Sequence, residues 1–371
     1  MCDSRSRRVQ RLRARGLPRI REVPYDIRML RWGWLRRVGR LVLYSGALLG
    51  GAAAGHLHAS NESEPLAAAQ PEPARPRPLP LHPISAVPQP QPSAPELQPK
   101  PPLAAYGGGR IIEGSTPHRL IYFTFDDGPD RRTTPLLLDR LDAVGVKATF
   151  FLTAGRIANA SGIERLQAEL AREIVGRGHS IGNHTVDHLQ LPLLSDAEAL
   201  EQVVGAERIF DRVLGFHPLL VRPPGGGHSP RIDDLLSQLG YTIVLWNLGA
   251  SDFQVKSPQE VLDQFVRVLD WREREQGERG GVVLLHDTHT WSVDAFQLIW
   301  AELWARNCTL LARGEELFDI VPDLTFFYEP RGDSSATTRA SPAVPAPWLL
   351  AQRQERLRLE AKQRCTATDG F

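Results

Sequence analysis

Two adjacent carboxylates, Asp126 and Asp127, end the apolar run in the stretch "IYFTFDDGPD". Burial and mutual repulsion both oppose the ionisation of such a pair, so the pair costs stability unless each carboxylate has its own partner. Gly128 and Pro129 follow directly, and an Asp-Gly-Pro turn with no chemical role is the alternative interpretation. Other residues must therefore decide whether the pair is functional.

A pair of histidines offers metal-ligand spacing. His184 and His188, in "GNHTVDH", are four residues apart, so in a helix or a tight turn both imidazoles point the same way. Thr185 stands where the glutamate base of a metalloprotease helix would be needed, which excludes that motif. A catalytic zinc commonly has three protein ligands and one open position. Asp127 together with the two histidines would satisfy that count.

The elements that must position these groups alternate between strand and helix. Predicted strands are Leu120–Phe125, Ala148–Leu152, His179–Gly182, Leu219–Arg222, Thr242–Trp246 and Val282–His286. Helical patterns lie between them, and "SDAEALEQVVGAERIF" opens with a capping box of Ser195 and Glu198. This α/β order predicts a parallel sheet covered by helices, either an open doubly wound sheet or a barrel. In both, functional groups gather at the carboxyl ends of the strands.

Four short motifs carry a family resemblance. "TFDDGP", "HTVDH", "RPPGG" and "LLH" occur in this order and resemble the motifs of the NodB-homology polysaccharide deacetylases, carbohydrate esterase family four. The resemblance implies a catalytic domain over residues 117–325 with a distorted (β/α) barrel fold. Members of this family remove N-acetyl groups, occasionally O-acetyl groups, from polymers such as peptidoglycan and chitin, usually with Zn²⁺.

The resemblance also implies a role for each matching residue. Asp127, His184 and His188 would hold Zn²⁺, or another divalent metal such as Co²⁺. Asp126 would be the general base, and Arg222 of "RPPGG" would keep it anionic and oriented. The adjacent carboxylates would then have separate partners, a metal and a guanidinium.

On the opposite side of the site, His286 of "LLH" would be the general acid and Asp252 of "SDF" its carboxylate partner. Substrate or oxyanion contacts would come from Pro224, Gly225, Gly226 and Trp246. The family often has an aromatic residue after the two prolines, where this chain has Gly225. A wall of the sugar-binding groove is therefore expected to be absent at that position.

Further polar and aromatic residues lie close to the motifs. His228, His289 and Asp287 are expected to line the site or to bond locally, not to bind metal. Trp246 and Trp291 could stack on sugar rings or pack in the core, and the sequence does not separate these alternatives.

The N-terminal part has the layout of an export signal. Residues 1–40 form a basic flank rich in arginine, and an uncharged segment follows, so residues 41–57 are predicted to be a signal peptide or a membrane anchor. Met29 is an alternative start. Residues 58–110 read as a proline-rich linker. The domain is thus expected outside the cytoplasm, anchored and facing the periplasm or cell envelope, or secreted if the signal is cleaved.

The C-terminal part, residues 331–371, is predicted to be a tail with a short charged helix at about residues 348–364. Leu350 and Leu357 could dock this helix on the domain, and a loosely held tail is the alternative. Cys308 and Cys365 could form one disulfide, although their spacing matches no known framework.

The composition and the motifs together favour an enzyme. The net charge is only +1 over 371 residues, and the arginine arm fits a membrane flank better than a nucleic-acid site. We expect a monomeric deacetylase whose substrate is an acetylated polysaccharide. If its signal segment is not cleaved, the enzyme would contact the membrane through this N-terminal segment. The alternatives are a catalytically silent glycan-binding protein on the same fold and a relative that hydrolyses small cyclic amides.

Overall fold

The computed structural model describes residues 110–159, 161–327, 338–339 and 345–366. The predicted basic flank, the signal or anchor segment, the alternative start at Met29 and all but the last residue of the predicted linker lie outside the described residues. Within the described ranges, no helix combines the length and the apolar character needed to cross a bilayer.

Within the described ranges, ten strands form one sheet in which every strand pair is parallel. They are β1 (Arg110–Ile112), β2 (Leu120–Asp126), β3 (Thr149–Leu152), β4 (Ser180–Asn183), β5 (Leu220–Val221), β6 (Thr242–Val244), β7 (Leu248–Gly249), β8 (Gly281–His286), β9 (Asp319–Ile320) and β10 (Thr338–Arg339). Their spatial order is β10-β1-β6-β5-β4-β3-β2-β8-β7, and β9 pairs with β2.

The strand order is that of a barrel that does not close. Strands β2, β3, β4, β5 and β6 lie side by side in chain order. Beyond β6 the next strand in the sheet is β1, and on the other side of β2 the next strand is β8. Over the described residues, the end strands β10 and β7 do not pair with each other. The sheet is therefore a curled half-barrel with helices. The prediction of a parallel, barrel-like sheet is confirmed, but the barrel does not close.

Seven α-helices accompany the sheet within the described ranges. They are α1 (Thr134–Ala143), α2 (Gly162–Gly176), α3 (Asp196–Leu214), α4 (Pro230–Gln238), α5 (Pro258–Gln276), α6 (Thr290–Ala312) and α7 (Pro347–Thr366). The predicted capping box of α3 is present, since Ser195 accepts from the Glu198 N–H and Glu198 accepts from the Ser195 N–H.

The six predicted strands all exist, with ends within two residues of those expected. Among the described residues, four further strands of two or three residues were not predicted, namely β1, β7, β9 and β10. Arg110, the last residue of the predicted linker, lies in β1, and β1 precedes the predicted start of the catalytic domain at residue 117.

Strand β2 lies at the centre of the fold. All seven of its residues are buried, and it pairs with β3, β8 and β9. A strand covered on both faces carries a nearly continuous apolar run, which is why this segment was readable in the sequence. The register with β8 pairs Asp126 with His286. The predicted base and the predicted acid therefore end adjacent strands.

The C-terminal helix α7 docks on the domain. Leu350 and Leu357 pack against separate clusters of the apolar core. Cys308 of α6 and Cys365 of α7 form a disulfide. Of the two alternatives for this helix, the structure shows docking, and the disulfide that the sequence only allowed is formed.

Candidate active site

Seven predicted side chains meet where the carboxyl ends of the central strands converge. Asp126 ends β2 and His286 ends β8, while the others lie in the loops after β2, β4, β5 and β7. The group consists of Asp126, Asp127, His184, His188, Arg222, Asp252 and His286. After their predicted roles, we call the side chains around Asp127 the metal-binding half and those around His286 the acid half.

The metal-binding half is a cluster of three potential ligands. Asp127 Oδ1 lies 3.4 Å from His184 Nε2 and 3.2 Å from His188 Nε2. One ligand atom from each residue falls within 4.8 Å of the others. Asp127 Oδ1 is buried and has no hydrogen-bond partner within the described ranges. A buried, unpaired carboxylate oxygen beside two imidazoles fits a divalent cation, because a cation would satisfy that oxygen.

The ring orientation of His184 follows from a backbone contact. His184 Nδ1 lies 2.6 Å from the Arg222 carbonyl oxygen. A carbonyl only accepts, so Nδ1 donates its hydrogen and Nε2 of the neutral ring keeps its lone pair. Burial lowers the pKa of His188, an effect that the charge of Asp127 opposes. Both imidazoles are therefore suited to bind a cation in their neutral form.

Asp127 remains ionised in this setting. Burial opposes its ionisation, but the neighbouring imidazoles of His184, His286 and His188 outweigh burial and hold its pKa well below the usual range. The cluster thus combines an anionic oxygen with two nitrogen ligands, a donor set that zinc accepts.

The backbone around the ligands is left-handed at three non-glycine residues. The φ angles are 74° at Asp127, 68° at Thr185 and 58° at His188. Such conformations cost about 1–3 kcal/mol each and persist only where their surroundings impose them. The Thr185 N–H donates to Asn183 Oδ1 at 2.8 Å, and the His188 N–H donates to Thr185 Oγ1 at 3.1 Å. The histidines therefore share a tight turn, which was one of the two predicted geometries.

Asp126 is paired with Arg222 as predicted. Arg222 donates to Asp126 Oδ1 at 2.7 Å, and the two side chains are 0% and 4% exposed. Arg222 also donates to Thr124 Oγ1 at 2.7 Å and lies 4.2 Å from the centre of the Phe151 ring. Burial lowers the pKa of Arg222, and the Asp126 carboxylate opposes that effect. The pair compensates both buried charges and fixes the orientation of the carboxylate.

His286 and Asp252 form the acid half. His286 Nδ1 lies 2.9 Å from Asp252 Oδ1, and Asp252 Oδ2 accepts from Ser292 Oγ at 2.5 Å. Burial lowers the pKa of His286, but the hydrogen bond and charge of Asp252 outweigh it and raise this pKa to about 9. His286 Nε2 faces the metal-binding half, 3.9 Å from Asp127 Oδ2. A protonated His286 can therefore donate toward a substrate held at Asp127.

Asp252→Asn should move the alkaline limb of kcat/KM downward by roughly one pH unit or more. The imidazolium donates only below its folded-state pKa, which Asp252 raises to about 9. Without that charge, burial favours the neutral ring at lower pH. The measurement is a pH profile of catalytic activity between pH 6 and 10, and an unchanged alkaline limb would contradict the assigned partner.

The loop of the predicted oxyanion contacts is a short 3-10 turn, Pro224–Gly226, with Gly225 at φ 61°. A Cβ added at Gly225 would lie 3.5 Å from Gln190 Nε2, the one atom within 4 Å among the described residues. The position at which the family's aromatic side chain would stand is therefore open space. The Gly226 N–H donates to the Pro223 carbonyl at 2.9 Å, so this N–H is already paired, and a substrate contact at Gly226 stays a prediction. Proline has no N–H, which leaves the Gly225 N–H as the candidate.

Trp246 packs beside this loop. Its ring would lie 2.9 Å from a Cβ at Gly226 and is 5.4 Å from the Arg222 guanidinium. Trp291 donates from Nε1 to the Asp252 carbonyl at 2.7 Å. Both rings therefore support charged site residues, and stacking on a sugar stays a prediction.

The other polar residues near the motifs, His228, His289 and Asp287, contact neighbouring side chains. His228 contacts Asp233, and His289 stacks on His286 with ring centres 5.9 Å apart. Burial raises the pKa of Asp287 to about 7 against a hydrogen bond from Thr134. Among the described residues, Asp127, His184 and His188 form the one group that could hold a metal.

Sequence reasoning missed two hydroxyls that support the site. Thr124 binds Arg222 and donates to the Val283 carbonyl at 2.6 Å, and Ser292 binds Asp252. The only signal for Thr124 is a polar residue inside an apolar strand, and Ser292 has none, because its partner lies 40 residues away along the chain.

Comparison with known proteins adds a family model, Polysaccharide deacetylase, which matches residues 113–244. The chain is 33% identical over 177 residues to the peptidoglycan-N-acetylmuramic acid deacetylase PdaC of Bacillus subtilis, covering 48% of this chain and 34% of that protein. It is 31% identical over 169 residues to a peptidoglycan-N-acetylglucosamine deacetylase of Bacillus cereus, covering 46% of this chain and 73% of that protein.

A chitin deacetylase of Colletotrichum lindemuthianum is 31% identical over 186 residues, with 50% of this chain and 73% of that protein covered. Its solved structure superposes with a TM-score of 0.47 over 54% of this chain and 87% of that one. The chain thus spans about a third of the first of these relatives and about three quarters of the other two.

Proposed function

Because the chain belongs to the polysaccharide deacetylase family, we propose that it is a metal-dependent hydrolase that removes N-acetyl groups from a polymer of acetylated amino sugars. The substrate class is peptidoglycan or a chitin-like N-acetylglucosamine polymer of the cell envelope or the extracellular space. One observation carries the proposal: the side chains proposed as base, metal ligands and acid converge at one strand-end site.

Asp127, His184 and His188 would hold the metal, for which zinc is our proposal and Co²⁺ an alternative. When bound, such a metal polarises the amide carbonyl and lowers the pKa of water from 15.7 toward about 7. The two His Nε2 atoms and Asp127 Oδ1 are the atoms that face one another across the cluster.

Asp126 is the proposed general base. Its Oδ1 is occupied by Arg222, and its Oδ2 lies 3.8 Å from His184 Nε2, on the side of the metal ligands. Oδ2 is therefore the atom that accepts the proton of the attacking water. Arg222 keeps the carboxylate charged and prevents its rotation, so the acceptor is aimed before substrate arrives.

His286 is the proposed general acid. Amide nitrogen is a poor leaving group until it is protonated, and His286 Nε2–H supplies that proton while Asp252 holds Nδ1–H. The Gly225 N–H is the proposed donor to the oxyanion, and the space at this glycine lets a sugar approach the backbone closely.

His286→Ala should slow cleavage of an N-acetyl sugar by about 10²- to 10⁴-fold. The same variant should slow an activated aryl acetate far less, because a phenolate leaves without a proton. The measurement compares kcat/KM for both substrates with the same zinc-loaded protein. Equal slowing of amide and ester would remove the acid role from His286.

The proposed function itself is tested by acetate release from peptidoglycan, chitin oligomers and acetylated xylan, with and without chelator. We expect release from at least one of the two amino-sugar polymers, loss with chelator and recovery with zinc. Release that chelator does not affect would contradict the metal requirement. No release from any polymer would favour the silent glycan-binding alternative, against which the complete set of base, ligands and acid argues.

We also propose that the domain works outside the cytoplasm. An arginine-flanked uncharged segment precedes a proline-rich stretch in the sequence, and the disulfide of Cys308 and Cys365 suits an oxidising compartment. Cell fractionation with a protease-accessibility assay tests this proposal, and a protease-protected cytoplasmic domain would overturn it.

A further inference from the structure

Asp287 is a buried carboxyl for which the proposed chemistry has no use. It follows His286 and is 0% exposed. Its Oδ2 accepts from Thr134 Oγ1 at 2.5 Å, and its Oδ1 has no hydrogen-bond partner within the described ranges. An incompletely bonded buried carboxyl costs free energy, so its position needs an explanation other than stability.

The carboxyl of Asp287 packs against the backbone of the turn that carries Asp127. A Cβ added at Gly128 would lie 2.2 Å from Asp287 Oδ2 and 2.3 Å from Oδ1. Only glycine leaves room for this approach, because real Cβ atoms do not come so close to another atom. Asp287 therefore contacts the residue directly after Asp127.

Thr134 connects Asp287 to the far end of the same turn. Its Oγ1 donates to Asp287 and accepts from the Asp130 N–H at 2.8 Å. The Asp287 carboxyl thus holds the turn at two points, by packing at Gly128 and through the Thr134 hydroxyl at Asp130. Both points belong to the four-residue segment Asp127–Asp130, which we call the ligand turn.

The other side of the ligand turn is held by different elements. The Gly128 carbonyl accepts from the Thr153 N–H at 3.1 Å, and the Pro129 carbonyl accepts from Gln167 Nε2 at 3.0 Å. These contacts come from the β3 side and from α2, away from His286. Asp287 supplies the link to the strand that carries the acid.

We infer that Asp287 is a positioning residue that holds the ligand turn to the end of β8 and so fixes Asp127 relative to His286. The sheet aligns Asp126 with His286, and Asp287 extends this alignment by one residue beyond the strand ends, where ladder hydrogen bonds stop. Groups that orient a metal ligand typically change metal affinity or activity by about 10- to 100-fold when they are removed. The inference rests on the proposed metal site and not on the identity of the polymer.

The test measures zinc affinity of the full chain by competition with a chromogenic chelator. Asp287→Ala should weaken zinc binding by about 10- to 100-fold, and Thr134→Val by about tenfold. Asp287→Asn should stay within about threefold of wild type, since the amide keeps the volume and an acceptor for Thr134. The same order is expected for kcat/KM.

Thr149→Val is the matched control. Thr149 is a fully buried threonine whose hydroxyl bonds to Tyr122 OH at 2.8 Å, on β3 and away from the ligand turn. The Thr149→Val substitution should lower thermal stability but leave zinc affinity unchanged. If Asp287→Ala fails to fold, the comparison of Thr134→Val with Thr149→Val decides the question.

The inference is overturned if Asp287→Ala and Thr134→Val bind zinc within about twofold of wild type. It is also overturned if Thr149→Val loses as much affinity as Thr134→Val, or if Asp287→Asn binds as weakly as Asp287→Ala. A wild-type chain that binds no zinc would instead remove the proposed metal site, and the inference with it.

Discussion

Asp126→Asn should retain zinc and lose turnover by about 10²- to 10⁴-fold, because an amide cannot take the proton of the attacking water. The three proposed ligand residues are untouched by this change. The buried Arg222 loses its anionic partner, at a cost in stability of about 3–5 kcal/mol. Zinc stoichiometry and kcat are therefore measured on the same folded preparation, at a temperature well below unfolding.

Loss of rate could also follow from disturbance of the Arg222 network, and Thr124→Val separates the two effects. This variant removes one hydrogen bond to Arg222 and leaves the carboxylate of Asp126 in place. It should lose far less activity than Asp126→Asn. An Asp126→Asn protein that holds zinc and keeps more than about a tenth of wild-type turnover would exclude Asp126 as the base.

Asp127→Ala and His184→Ala should each weaken zinc binding by more than about 100-fold, the upper end of what loss of a supporting contact costs. Asp127 contributes the anionic oxygen that faces both histidines. His184 contributes Nε2, and the Arg222 carbonyl fixes the ring tautomer in which Nε2 keeps its lone pair. Deacetylation should fall to the level of the chelator-treated wild type. The measurements are metal content after dialysis and acetate release.

His179→Ala is the control for loss of a buried histidine. His179 is fully buried directly before β4, stacks edge-on with Phe150 and lies outside the candidate metal cluster. It should reduce stability while keeping zinc. Full zinc occupancy in Asp127→Ala or His184→Ala would overturn the ligand assignment, and zinc loss in His179→Ala would attribute the effect to unfolding.

The sequence indicated the site residues because their signals are local. The strand that ends in Asp126 and Asp127 is a continuous apolar run, and the spacing of His184 and His188 is visible within seven letters. The six predicted strands and the capping box of α3 are present in the structure. Four further short strands were missed, since pairing with neighbours and not local pattern creates them.

What the sequence by itself determined is therefore the chemistry available: a carboxylate pair, two histidines at metal-ligand spacing, a guanidinium and a strand-end histidine. Only the tertiary structure decided how these groups act. The Asp126 and Arg222 pair joins residues 96 positions apart, and the Arg222 carbonyl that sets the His184 tautomer is 38 positions away. Docking of α7, the open edge of the half-barrel and the contact of Asp287 with Gly128 likewise depend on packing between distant segments. Periodicity reports which face of an element is buried, but the partner across that face is known only once the elements are assembled.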